Sequence, residues 1–117
     1  MVKILKSELG CLLQVTDVHG RERHDWREEY VGDGLIVMFE IEGEGVQFIR
    51  FYPNEPETMF QRHLTTSIGG ITEDDVMKWF FATRNSLYVF GRTHCMNQLE
   101  AEVLIDNVYH ELGIDEI

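Results

Sequence analysis

Between Thr93 and Ile117 the chain carries six carboxylates and no lysine or arginine. Glu100, Glu102 and Asp106 fall within a helical pattern, so their charges are expected on an ordered face. Carboxylates spaced along a helix stand in for phosphates, attract cationic protein surfaces and repel nucleic acid. A second acidic group, Glu40, Glu42 and Glu44, belongs to an expected hairpin loop and its flank. These six residues form the candidate partner-binding set. Glu102, Asp106 and His110 also follow an i, i+4, i+8 spacing, which places two carboxylates and an imidazole on one helix face. With a fourth ligand such as His94, that set suits a divalent cation. Ligand-type residues are common on solvated faces, and His110 near a helix C-terminus has the dipole and Asp106 to interact with. The solvated face is the preferred reading, so no metal and no cofactor are expected.

His24-Asp25, within the stretch RERHDWREEY, has the residue types of a general base and its orienting carboxylate. Arg21, Arg23 and Arg27 beside it suit an anion. This is the basis of the alternative reading, a small hydrolase or nucleotide-handling enzyme. Adjacent residues rarely supply catalytic geometry, however, and no nucleophile accompanies the pair. A self-neutralising surface loop is preferred. His63-x-Thr65 matches one half of the paired His-x-Thr signature of two-histidine phosphoesterases. No other histidine is followed by x-Thr or x-Ser, so one copy cannot furnish both acid and base. Ser67-Ile68-Gly69-Gly70 lacks the length and the Lys-Ser/Thr of a phosphate loop. Cys95 is placed in the first turn of the final helix, where a thiol pKa falls. Free cysteines are most often buried, so a core-facing thiol is expected. No catalytic residue is assigned.

The elements that must position these residues follow from periodicity. Apolar residues from Ile4 to Val18 predict strands over 2–8 and 11–18, bent at Gly10. Asp17 to Gly20 reads as a turn. Leu35–Ile41 and Val46–Tyr52, joined by Glu42-Gly43-Glu44-Gly45, predict a hairpin whose glycines supply positive φ. Neither face of the second run is polar, so it is expected to be covered on both sides. A short helix is predicted over 57–66 after Pro56, and a second from an N-cap at Thr72 to Asn85. Leu87–Phe90 reads as a strand. Thr93 is the expected cap of a helix over 94–112, with Ala101, Leu104, Ile105, Val108 and Leu112 on its buried face. The class is α+β: one domain spanning 1–117, a mainly antiparallel sheet of about 4–5 strands, and two or three helices.

Composition narrows the function. The chain has 117 residues and a formal net charge of −11. Residues 1–32 hold six acids and five bases, while 33–117 hold fifteen acids and five bases. No basic stripe exists, which disfavours nucleic-acid binding. Aromatics such as Phe48, Phe51 and Phe90 lack interleaved Lys or Arg and read as core. Cys11 and Cys95 form no C-x-x-C motif and are expected as reduced thiols. No apolar run is long enough to span a bilayer. A soluble, cytoplasmic location is expected, in the protein's own cell or an infected host. In size and charge, though not in residues, the chain is similar to bacterial immunity proteins and phage anti-defence proteins, including anti-CRISPRs. That resemblance implies a non-enzymatic acidic inhibitor of a basic nuclease or nucleic-acid-binding partner, acting as a monomer or homodimer. Small acidic secretion-type chaperones or adaptors share the same features.

Overall fold

The computed structural model describes residues 2–17, 19–22, 24–41, 43, 47–55, 62–68, 71–74, 78–83 and 85–112. They form one antiparallel sheet of seven strands and one α-helix. The strands are β1 (Val2–Asp17), β2 (Gly32–Ile41), β3 (Gln47–Pro53), β4 (Leu64–Ile68), β5 (Ile71–Asp74), β6 (Lys78–Ala82) and β7 (Ser86–Gly91). Helix α1 spans Gln98–Leu112, and a 3-10 helix covers Trp26–Tyr30. The sheet order is β4-β3-β2-β1-β7-β6-β5.

β1 is the central strand and it has two partners. Its first part pairs with β2, from Val2↔Ile41 to Leu12↔Gly32. Its last part pairs with β7, from Cys11↔Gly91 to Asp17↔Ser86. Sixteen extended residues would run about 50 Å, yet the longest dimension of the molecule is 39 Å. The strand therefore bends. Its register slips once between Ile4 and Lys6 and once between Leu12 and Gln14, which makes Leu5 and Leu13 the bulged residues. Gly10 is not the break expected from sequence. It lies inside β1, where a Cβ would run into Gly91 O and sit 3.1 Å from Ile36 Cδ1.

The sheet is curled. Phe51 on β3 and Phe90 on β7 are three strand positions apart, about 14 Å in a flat sheet at the usual strand spacing. Their ring centroids are 5.6 Å apart. The concave side is filled by Leu12, Ile36, Met38, Phe51, Trp79, Phe81 and Phe90, among others. Lys6 and Arg92 lie 4.1 and 4.3 Å from the centre of the Trp79 ring, and Arg92 Nη1 donates to Glu8 at 3.0 Å. The other side carries Leu35, Val37, Phe39 and Tyr52, and α1 covers it with Leu104 and Val108. β2 thus sends Ile36 and Met38 inward and Leu35, Val37 and Phe39 toward the helix. Both faces are apolar, so the run has no polar alternation.

Several sequence expectations change here. The sheet has seven strands rather than 4–5, and the described residues hold a single α-helix rather than two or three. Residues 64–66 of the expected helix 57–66 belong to β4, and residues 56–61 lie outside the described residues. The helix expected after Thr72 is replaced by β5 and β6, with 75–77 outside the described residues. The reason is period. Trp79 and Phe81 are buried while Lys78 and Ala82 are exposed, an alternation of two. Aromatic residues gain more on a pleated surface than on a helix.

Gly34 lets β2 and β3 approach closely. A Cβ there would collide with Tyr52 O and lie 2.6 Å from Phe51 Cζ. The backbone carbonyl cannot swing aside as a flexible side chain would. Gly34→Ala should lose about 1–3 kcal/mol in urea denaturation. A variant within about 0.5 kcal/mol of wild type would show that the strands are not this close.

Candidate functional site

α1 is built by its first turn. Asn97 is the residue before the helix, and its Oδ1 accepts from Glu100 N–H at 2.8 Å. The Glu100 carboxylate accepts in return from Asn97 Nδ2 at 2.7 Å and from Asn54 Nδ2 at 2.8 Å. This is a reciprocal cap of the capping-box type, extended to the end of β3. The start at Gln98 corrects the expected start at 94, and Asn97 rather than Thr93 is the cap. The residues before it are anchored by the buried Met96 and by Cys95 N–H, which donates to Asp33 Oδ2 at 3.0 Å. Cys95 is exposed, which overturns the core-facing expectation. Its position ahead of the helix turns it away from the buried stripe. Cys11 is half-buried, and burial pushes its thiol pKa up. Both thiols are free.

The inner face of α1 is Ala101, Leu104 and Val108, with Ile105 and Leu112 packed at its margin. The outer face is equally well defined. Leu99, Glu102, Val103, Asp106, Asn107 and His110 are all exposed and recur at spacings of three and four. Leu99 is 70% exposed and Val103 is 45% exposed. Two apolar side chains thus stand in water beside two carboxylates. The candidate set drawn from sequence consists of acids alone. The missed signal was present in the period, since residues 99 and 103 fall off the buried stripe.

The six candidate acids do not form one uniform set. Glu102 and Asp106 lie on the exposed face, where Gln98 Nε2 donates to Glu102 at 3.0 Å. Glu100 is engaged by two asparagines. Glu40 is half-buried, 3.8 Å from Lys3 Nζ. Glu42 and Glu44 lie outside the described residues. Among the described residues no three His, Cys, Asp or Glu side chains are grouped so as to hold a metal ion, the Glu102, Asp106, His110 and His94 set included.

His24 and Asp25 take different partners. Asp25 caps the 3-10 helix through Arg27 N–H at 3.0 Å and pairs with Arg27 Nη1 at 2.6 Å. His24 turns to Glu28 instead, Nδ1 to Oε1 at 3.0 Å, with Glu22 3.9 Å from Nε2. The hydrogen bond and charge of Glu28 hold the imidazole pKa above its usual value.

His63 sits in a denser network. Arg50 Nε donates to Thr65 Oγ1 at 2.8 Å, and Arg50 Nη1 donates to Tyr52 OH at 3.1 Å. The same Thr65 hydroxyl is hydrogen-bonded to His63 Nδ1 at 3.0 Å. The opposite nitrogen faces Glu111 at 3.8 Å. Burial lowers the His63 pKa, the Arg50 charge lowers it further, and Glu111 opposes them. The unfolded chain therefore binds this proton more readily, and the contribution of neutral His63 is lost as pH falls below about 6.5. His63→Gln should flatten the decline of the urea midpoint between pH 7 and pH 5. An unchanged decline would remove His63 from the acid response.

Comparison with protein-family models, curated proteins and solved structures finds no match to this chain. No helix among the described residues is long and apolar enough to cross a membrane.

Proposed function

We propose that the protein is a non-enzymatic inhibitor that docks the outer face of α1 on a protein partner with a basic surface. The partner class is a nuclease or another nucleic-acid-binding protein, of the kind targeted by immunity and anti-defence proteins. One observation carries this reading: Leu99 and Val103 project into water in register with Glu102 and Asp106. An apolar centre with a charged rim is how protein interfaces are built. The rim's sign selects a cationic partner and speeds its capture. The net charge of −11 acts in the same direction over longer range.

A helix of fifteen residues is about 22 Å long. That length suits the central part of an interface of standard size, with neighbouring surface completing it. The test is affinity capture from the native host and from an infected host, followed by mass spectrometry. The expected result is a basic nucleic-acid-binding protein retained at low salt and released as salt rises. Retention that is indifferent to salt, or capture of acidic proteins alone, overturns the proposal.

A further inference from the structure

A cleft of about 280 Å³ lies between β1 and the 3-10 helix, lined by Leu13, Gln14, Val15, Glu22, Glu28 and Val31. Leu13 is 44% exposed because it is a bulged residue of β1, set out of the alternation that buries Leu12 and Val15. Val31, at the far end of the 3-10 helix, is 50% exposed. Bulges of this kind re-aim side chains beside functional sites. Two aliphatic side chains are thereby presented to water with carboxylates nearby. The volume is just under the range of about 300–1,000 Å³ typical of drug-sized ligands. It suits one long side chain and not a cofactor.

We propose that this cleft seats one Lys or Arg side chain from an extended segment of a basic protein partner. The aliphatic stem lies against Leu13, Val15 and Val31, and the cationic head meets Glu22 and Glu28. Long basic side chains combine an apolar stem with a charged head in this way. The two carboxylates already converge on one imidazole. His24 stands between the same two carboxylates, 3.0 Å from Glu28 and 3.9 Å from Glu22, and Gln14 Nε2 steadies Glu22 at 3.0 Å. An incoming guanidinium or ammonium takes over the position of the imidazole. The proposal rests on the reading that the partner is basic, but it concerns a different surface from the outer face of α1.

Two capped tripeptides test it, Gly-Arg-Gly and the equivalent with norleucine at the centre. Each is titrated into isotope-labelled full-length protein and followed by amide NMR shifts. The arginine peptide should shift the amides of Leu13, Gln14, Glu22, Glu28 and Val31. It should bind about threefold more tightly than the norleucine peptide, the factor usual for one ion pair at a solvent-exposed site. The variant Glu28→Gln should bring the two peptides together. Equal binding of both peptides to wild type, or shifts confined to other surfaces, overturns the proposal. So does the absence of any shift up to the solubility limit of the peptide. Because the probe is a peptide and not the captured partner, failure here leaves the α1 reading standing. Failure of capture likewise leaves the cleft measurement intact.

Discussion

Replacing Phe51 by alanine should remove about 3–5 kcal/mol of stability, a large share of the total for a domain of this size. Phe51 is 1% exposed and meets Phe90 from across three strand positions of the curled sheet. Its removal costs the transfer of a large aromatic from the core. It also leaves a void on the concave side, which the backbone closes only in part. Phe90 in turn contacts Phe81 with ring centroids 5.6 Å apart, so the void opens onto a chain of aromatic rings. Phe51→Leu keeps most of the volume and should lose less than about 1.5 kcal/mol. The pair is measured by urea denaturation with the slope held as a control on cooperativity. If Phe51→Ala lost under about 1.5 kcal/mol, the ring would not be a core residue. The curl deduced from its contact would then fail as well.

Charge reversal on the outer face of α1 should produce the opposite pattern, an intact fold and a lost partner. Glu102→Lys combined with Asp106→Lys changes two exposed residues, and such changes shift stability by about 0.5 kcal/mol or less each. Close charge pairs across an interface carry about 1.5 kcal/mol or more apiece, so two reversals should weaken binding by about a hundredfold or more. Glu100 is left out of the variant by design. Its carboxylate accepts from both Asn97 and Asn54, so its replacement would loosen the helix start and confuse docking with folding. Leu99→Ala tests the apolar half of the face separately, since it removes contact area without changing charge. The readout is affinity for the captured partner at two salt concentrations, beside a denaturation curve. A folded double variant with unaltered affinity would falsify the acidic-face proposal.

The parts of the fold legible in the sequence are those where one signal acts alone. Leu35–Ile41 is a β-rich apolar run, the loop after it supplies glycines, and α1 carries one apolar stripe; β2, β3 and the body of α1 lie where these signals put them. Gly43 has φ of 89°, as a hairpin glycine should. β5 and β6 were illegible because Val76, Met77, Phe80 and Phe81 also satisfy a helical spacing. Only the tertiary partner of Trp79 and Phe81, the concave core, decides between the two periods. The helix start was misplaced for a related reason. Thr93 and Asn97 are both acceptable caps by type, but only Asn97 has a glutamate three residues on and, just past the end of β3, Asn54 to share it. At the candidate interface the acids were legible and the exposure of Leu99 and Val103 was not named. The cleft depends on a bulge in β1, and a single inserted residue leaves no periodic signature in so short a stretch.

The strand order also sets how the chain can assemble over time. β1 to β4 pair with their neighbours in sequence, as do β5 to β7, so both arms form by local zippering. β1 with β7 is, among the described strands, the one pairing that joins distant parts of the chain, Asp17 meeting Ser86. Its loop-closure entropy must be met before the concave core is complete. During synthesis the first arm emerges with Ile36, Met38, Ile49 and Phe51 on a face that has no cover until β7 leaves the ribosome. The concave core is therefore shared between two arms that are far apart in the chain, and neither arm closes it alone.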